Sequence, residues 1–183
     1  LGDVYKRQFL MQESAVRQRI TRAKSKIKTA QIPYQVPAPE DLRVRIDGVL
    51  AVLYLVFNEG YFASGSEMPA LRSELTTEAI RLTRLVRELL PDDAEVAGIL
   101  ALMLLSEARS PARITAKGEL VRLDEQDRGL WNRELIDEGL SLLDRLRGAV
   151  PGRYTLLAQI NAVHAAAVDA ELTDWQRIVE LYE

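Results

Sequence analysis

The sequence predicts an all-α fold in which a basic helix, a proline-rich linker and a larger helical body follow one another. Two observations favour this fold. Apolar residues recur at the three- and four-residue spacing of amphipathic helices almost throughout residues 42–183. The composition, 48% hydrophobic and 28% charged, is that of a globular protein. We therefore expect a helical bundle or a right-handed helical array, with one small β-hairpin or loop insertion.

The first 41 residues divide into a leader, a helix and a linker. Residues 1–8 fit no periodic pattern and resemble translated sequencing-adaptor text, so we expect a non-native or disordered leader. Residues 9–30 hold the basic helix. Residues 31–41 contain Pro33, Pro37 and Pro39, which favour stiff, extended chain and predict a linker.

The basic helix is expected over residues 13–30. Its apolar side chains share one face and its basic side chains another, because both sets repeat at helical spacing. Residues 1–30 contain eight Lys and Arg residues against Asp3 and Glu13, a balance of +6. The whole chain carries −3, so residues 31–183 carry −9. This asymmetry indicates that only the basic helix faces a polyanion.

The helical body is expected to consist of successive helices separated by capping residues. Leu42–Tyr61 is apolar on nearly every side, which predicts a central buried helix. Asp92 or Asp93 could cap the helix after Pro91. The remaining helices are expected at residues 70–90, 94–108, 127–146 and 154–168, with a last one starting at Asp174.

A small β-hairpin or ordered loop is predicted between the helices that end near residue 108 and begin near residue 127. Two short stretches with strand character, residues 113–115 and 120–122, flank the turn-forming residues 116–119.

The last helix carries a repeat-like pattern. Trp175, Ile178, Val179 and Tyr182 fall at the offsets of the first tetratricopeptide helix, W-x2-L-G-x2-Y, with Val179 in the glycine position. A generic amphipathic helix would give the same spacing, so both interpretations stay open.

Residues 9–24 resemble the second half of sigma region 4.2, a turn followed by a helix of the form T-V-x-x-R-[LI]-x-R-A-[RK]. Six residues match, while Ala15 replaces the usual threonine; the matches are Val16, Arg19, Ile20, Arg22, Ala23 and Lys24. Residues 32–37, 49–61, 100–105 and 124–128 resemble an extracytoplasmic-function (ECF) sigma factor with a tetratricopeptide-type C-terminal extension. The resemblance covers residues 9–183.

This resemblance implies a fragment of a sigma-70 family factor. Residues 9–30 would be the C-terminal part of the region 4 helix-turn-helix, and residues 42–183 the helical extension, truncated within a tetratricopeptide-like repeat. Sigma region 2 and most of region 4 would lie upstream. Such a factor directs core RNA polymerase to promoters, and its extension would contact its own sigma domains or a regulatory protein.

The resemblance also implies which residues bind the −35 element of promoter DNA. The second helix of a helix-turn-helix enters the major groove, where Arg bonds guanine and Gln bonds adenine through paired hydrogen bonds. The implied DNA-binding residues are Ser14, Arg17, Gln18, Arg19, Thr21, Arg22, Lys24 and Lys26. Charge alone would favour a solvated basic helix without a ligand. The rival interpretation is a tetratricopeptide-like interaction scaffold with a basic arm not dedicated to promoter DNA.

Enzymatic, metal and membrane functions are not expected. Cysteine is absent and His164 is the one histidine, which leaves no dyad or metal triad, and we expect this histidine to serve packing or a surface hydrogen bond. The longest apolar run, Val49–Phe57, is far shorter than the roughly 20 residues of a membrane span. No signal peptide is visible, so a cytoplasmic protein without cofactor is expected. Trp131 and Trp175 are predicted core anchors, and Asn58-Glu59-Gly60 a helix-end motif.

Overall fold

A computed structural model describes residues 18, 21, 22, 25, 26, 29 and 30, and residues 39–61, 72–115, 118–148 and 150–183. Across these residues the fold is all-α, as predicted, and no strand is formed. Among the described residues from 39 to 183, six α-helices follow one another: α1 (Pro39–Tyr61), α2 (Ser73–Leu89), α3 (Ala94–Glu107), α4 (Arg133–Asp144), α5 (Arg153–Ala166) and α6 (Trp175–Tyr182). None of these described helices is long and apolar enough to cross a membrane.

The chain divides into two compact units. The first comprises residues 1–48 with 64–69, and the second residues 49–63 with 70–183. The predicted leader, residues 1–8, lies outside the described residues, and so does the linker up to residue 38. Helix α1 begins at Pro39, three residues before the expected start, because the fixed backbone angle of proline suits the first helical turn.

Helix α3 is the centre of the second unit. Every residue from Val96 to Ser106 is buried, and α2, α4 and α5 all contact this helix. Two glycines allow neighbouring helices to pack closely against each other at α3. A Cβ at Gly98 would lie 2.7 Å from the backbone nitrogen of Thr155 on α5, and one at Gly139 would lie 2.9 Å from Leu105. The helix predicted over residues 94–108 therefore forms the centre of the hydrophobic core.

The prediction that residues 42–61 form the central buried helix is wrong. Helix α1 buries one face, which includes Leu50, Leu53 and Phe57. Its opposite face exposes large aliphatic side chains, among them Val52, which is 58% exposed, and Leu55. The all-round apolar pattern does not identify the side that the core occupies.

Helices α3 and α4 each begin at a side-chain cap. Asp93 Oδ1 accepts hydrogen bonds from the backbone N–H groups of Glu95 and Val96, both at 3.0 Å, which confirms one of the two predicted caps of α3. Asn132 caps α4 in the same way. Helix α4 therefore begins at Arg133 and not at residue 127, since two short 3-10 helices, Leu123–Glu125 and Arg128–Leu130, precede it.

The insertion before α4 is an ordered loop closed by one antiparallel bridge, Ile114 to Leu120. The N–H of Thr115 donates to the carbonyl of Glu119 at 2.9 Å, and the N–H of Val121 donates to Arg113 at 2.8 Å. Gly118 has a φ of 82°, a backbone conformation that favours glycine at the turn. The sequence expectation of a small hairpin or ordered loop is confirmed at this coarse level.

Candidate functional site

The described residues of the basic helix form one exposed face. Each is exposed, and each of the six helical ones falls at helical spacing from the others, so together they form a single stripe: Gln18, Thr21, Arg22, Ser25, Lys26 and Thr29. The N–H of Ala30 donates to the carbonyl of Lys26 at 2.8 Å and closes the last turn. The stripe is entirely polar. We call it the polar stripe.

The polar stripe contains four of the eight residues that the sequence predicts to bind DNA: Gln18, Thr21, Arg22 and Lys26. Arg22 and Lys26 lie one turn apart, and neither forms an ion pair with a carboxylate among the described residues. The other four, Ser14, Arg17, Arg19 and Lys24, lie outside the described residues. A helix face with two cations and a glutamine amide can contact phosphates and base edges of a duplex.

Several charged side chains of the second unit, by contrast, connect its helices and loops. The carboxylate of Glu95 on α3 caps the start of α5, since its oxygens accept from the N–H groups of Tyr154 at 2.8 Å and Thr155 at 3.1 Å. The hydroxyl of Thr155 donates to the same carboxylate at 2.7 Å. A carboxylate at a helix N-terminus also benefits from the positive end of the helix dipole.

A buried arginine closes the end of α1. Arg113 Nη1 donates to the carbonyl of Tyr61 at 2.7 Å, and the guanidinium lies 3.6 Å from the centre of the tyrosine ring. Burial lowers the pKa of Arg113 from its usual value. Near it, burial raises the pKa of Glu107, against the smaller opposing effects of Ser110, Thr76 and Arg113.

The motif Asn58-Glu59-Gly60 lies at this same end of α1. A Cβ at Gly60 would lie 2.8 Å from the backbone nitrogen of Thr76, so glycine permits the start of α2 to approach α1. Glu59 Oε1 and Arg72 Nη1 form an ion pair at 3.8 Å. These contacts give the motif a structural role at a helix end.

A second buried arginine joins α5 to the loop before α4. Arg128 is 8% exposed, and its Nη1 donates to the carbonyls of His164 and Ala167 at the end of α5. Its guanidinium lies 4.7 Å from the ring centre of Trp131, which is 3% exposed and anchors the core as predicted. Burial lowers the pKa of His164, and the charges of Arg109 and Arg128 lower it further.

The prediction that Trp175 anchors the core is wrong. Its side chain is 60% exposed, and its ring meets His164 edge to face at 5.5 Å between ring centres. Both rings line a cavity of about 360 Å³ in the second unit. Of the described residues, no group of three His, Asp or Glu side chains could hold a metal ion.

Sequence reasoning missed the two buried arginines and the capping carboxylate Glu95. Arg128 lies in the string Asp124-Glu125-Gln126-Asp127-Arg128, which the sequence singled out without a role. Arginine is rarely buried without a partner, so only the three-dimensional contacts reveal such residues. Their bonds connect elements that are 36 to 60 positions apart in the chain.

These observations define an all-α protein whose described residues include an exposed polar stripe and a helical body. The chain belongs to a family of unknown function, DUF6596, which matches residues 45–147 and so spans α1 to α4. An uncharacterized protein of Rhizobium meliloti (strain 1021) is 45% identical over 179 residues, which are 97% of this chain and 42% of that relative. The chain thus spans less than half the length of this relative. No solved structure matches.

Proposed function

We propose that this chain is part of a transcription initiation factor of the extracytoplasmic-function sigma type. In this proposal the basic helix reads the −35 element, and core RNA polymerase is the protein partner. The polar stripe supports the proposal most directly, because a helix that enters the major groove must present such a face. The resemblance of residues 9–24 to a recognition helix supplies the class of ligand.

The proposed roles follow from the resemblance, carried over position by position. Arg17, Gln18 and Thr21 would face base edges, with Ser14 near the start of the helix. Arg19 and Arg22 would contact phosphates or brace the helix, while Lys24 and Lys26 would extend the electrostatic contact. Phosphate contacts position the protein, and base contacts give specificity.

The second unit would serve as a built-in regulatory module. Residues 31–183 carry −9, so this part of the chain is repelled by DNA and suited to contacts with protein. We propose that it contacts the sigma domains of its own chain or the polymerase. This part of the proposal rests on the charge difference and on the resemblance.

The test uses the complete gene product. The gene upstream of Phe9 is sequenced, and the complete protein is combined with core RNA polymerase in a run-off transcription assay on genomic promoter fragments. We expect region 2 and the first helix of region 4 upstream of Phe9, and promoter-dependent transcripts. Arg22→Ala should weaken promoter binding, while Arg145→Ala, an exposed arginine of the second unit, should not. An initiator methionine near residue 9, or polymerase that gains no promoter selectivity, would refute the proposal.

A helical interaction scaffold is the second candidate. The observation that favours it is the exposed face of α6, where Trp175, Val179 and Tyr182 occupy tetratricopeptide offsets yet lie open to solvent. Under this function the complete protein would bind a protein partner without core polymerase, and Trp175→Ala with Tyr182→Ala would abolish that binding. The same run-off assay separates the two candidates.

A further inference from the structure

The polar stripe contains a serine to which the proposed DNA contacts assign no role. Ser25 is helical and exposed, and it shares this face with Arg22, one turn before it, and Lys26, the next residue. In the proposed function both of these cations serve the electrostatic contact with DNA. The hydroxyl of Ser25 would therefore lie close to the duplex, and a negative group on it would act on the same contact.

The sequence around Ser25 is cationic and contains no carboxylate. No Asp or Glu occurs between Glu13 and Glu40. Within three positions of the serine, on either side, lie four basic residues: Arg22, Lys24, Lys26 and Lys28. Residues three apart on a helix are neighbours on its surface, so a negative group on Ser25 would be stabilised by cations one turn away.

An exposed serine of the second unit has the opposite surroundings. Ser141 lies within α4 and is also exposed. Three carboxylates and one arginine lie three or four positions from it: Asp137, Glu138, Asp144 and Arg145. A phosphate beside carboxylates is disfavoured by repulsion, whereas one beside basic side chains gains charge-assisted hydrogen bonds. The two serines therefore differ in charge environment, and Ser141 is a matched control for Ser25.

A phosphate on Ser25 would oppose DNA binding in two ways. A phosphoserine carries roughly −1.5 to −2 charges near pH 7 and three strong acceptor oxygens. These oxygens can bond the guanidinium of Arg22, which is then no longer available to a DNA phosphate. The added negative charge also repels the duplex, whose affinity for the protein depends on the phosphates that basic side chains neutralise. One modification would thus offset about two of the cations of the basic helix.

We propose that Ser25 is a phosphorylation site whose modification releases the basic helix from promoter DNA. In this reaction the hydroxyl oxygen of Ser25 attacks the γ-phosphorus of ATP, and the bond from that phosphorus to ADP breaks. The hydroxyl proton passes to the catalytic base of a serine/threonine protein kinase, and ADP leaves. The basic sequence suits a kinase whose substrate cleft is acidic. This inference rests on the proposed function and adds regulation to it.

The test compares three forms of the complete protein bound to core RNA polymerase: the unmodified protein, Ser25→phosphoserine and Ser141→phosphoserine. Fluorescence anisotropy measures their affinity for promoter DNA at several salt concentrations. Ser25→phosphoserine should bind about tenfold more weakly or worse and reduce the salt slope by about two. Ser141→phosphoserine should bind as the unmodified protein does. Removal of the phosphate from Ser25 by a phosphatase should restore the affinity, which excludes damage to the fold.

The complete protein isolated from growing and from resting cells of its native host tests whether the modification occurs. Mass spectrometry should find phosphate on Ser25 in one of these states, and Ser25→Ala should keep its promoter active in that state. No phosphate on Ser25 in either state, or equal promoter affinity of the unmodified and Ser25→phosphoserine forms, would overturn the inference and leave the proposed function intact. Failure of the unmodified protein to bind the promoter would refute the proposed function, and this inference with it.

Discussion

The basic helix and the second unit use charge in opposite ways. On the polar stripe, Arg22 and Lys26 are exposed and form no ion pair with a described carboxylate. In the second unit, Arg113 and Arg128 are buried and bonded to backbone carbonyls at helix ends. Basic side chains are therefore exposed in one region, where we propose a ligand surface, and structural in the other. Burial and hydrogen bonding, not charge, distinguish the two uses.

The largest expected effect tests the packed region. Trp131→Ala should lower the free energy of unfolding by about 3–5 kcal/mol, because a large buried ring is lost and a cavity remains. Urea denaturation followed by circular dichroism measures this change. Trp131→Phe is the matched control: the indole N–H has no hydrogen-bond partner in the described structure, so its loss should cost much less. Equal stability of Trp131→Ala and the original chain would contradict the packing described.

The next effect tests the interior use of charge. Glu95→Ala should destabilise the fold by about 1–3 kcal/mol, because the start of α5 loses three hydrogen bonds to one carboxylate. Glu138→Ala is the comparison. Its bidentate pair with Arg84 is exposed, and such pairs contribute roughly 0–1 kcal/mol. Thermal unfolding of both variants measures the loss of stability. An equal loss in the two variants would show that the Glu95 cap contributes no more than an exposed ion pair.

The third effect tests the basic helix. In the complete protein, Arg17→Ala should weaken binding to its own promoter by about 1–3 kcal/mol and relax specificity at the contacted base. Fluorescence anisotropy with the promoter and with single-base variants measures both quantities. Unchanged affinity and specificity would remove Arg17 from the recognition surface.

A smaller effect separates phosphate contacts from base contacts. Lys24→Ala should weaken binding to all DNA sequences alike and reduce the slope of log affinity against log salt by about one, since one fewer counterion is released. Titrations of promoter and unrelated duplexes at several salt concentrations give the slope. A sequence-dependent loss with an unaltered slope would assign Lys24 to base reading.

The smallest effect concerns pH. Burial, together with Arg109 and Arg128, lowers the pKa of His164 in the folded state below its ordinary value of 6.5. The unfolded chain therefore binds the proton more readily, so the contribution of His164 to stability is present above pH 6.5 and declines as the pH falls through the folded pKa. His164→Gln isolates the effect from that of Glu107. The difference in unfolding free energy between the original chain and this variant should shrink between pH 7.5 and 5.5, and a constant difference would contradict it.

Much of the fold could be predicted because helical spacing and capping residues are local. Asp93 and Asp174 cap α3 and α6 at the positions that the sequence indicates. The side of a helix that meets the core is not local. Trp131 is buried while Trp175 is exposed, and the all-round apolar pattern of α1 coexists with an open face. The candidate site can be predicted only in part. Charge and helical spacing predict the basic helix, and its proposed DNA ligand comes from the family resemblance. The buried arginines Arg113 and Arg128 are recognised only from their hydrogen bonds in the folded structure.

The most direct test of the central claim is the binding of promoter DNA by the complete protein bound to core polymerase. The test variant is the double substitution Arg22→Ala with Lys26→Ala. The control is the double substitution Arg145→Ala with Arg147→Ala, which removes two exposed charges from the second unit. If the polar stripe is the DNA surface, the first variant loses promoter affinity and reduces the salt slope by about two, while the second retains both. Equal affinities and slopes for the two variants would contradict the account.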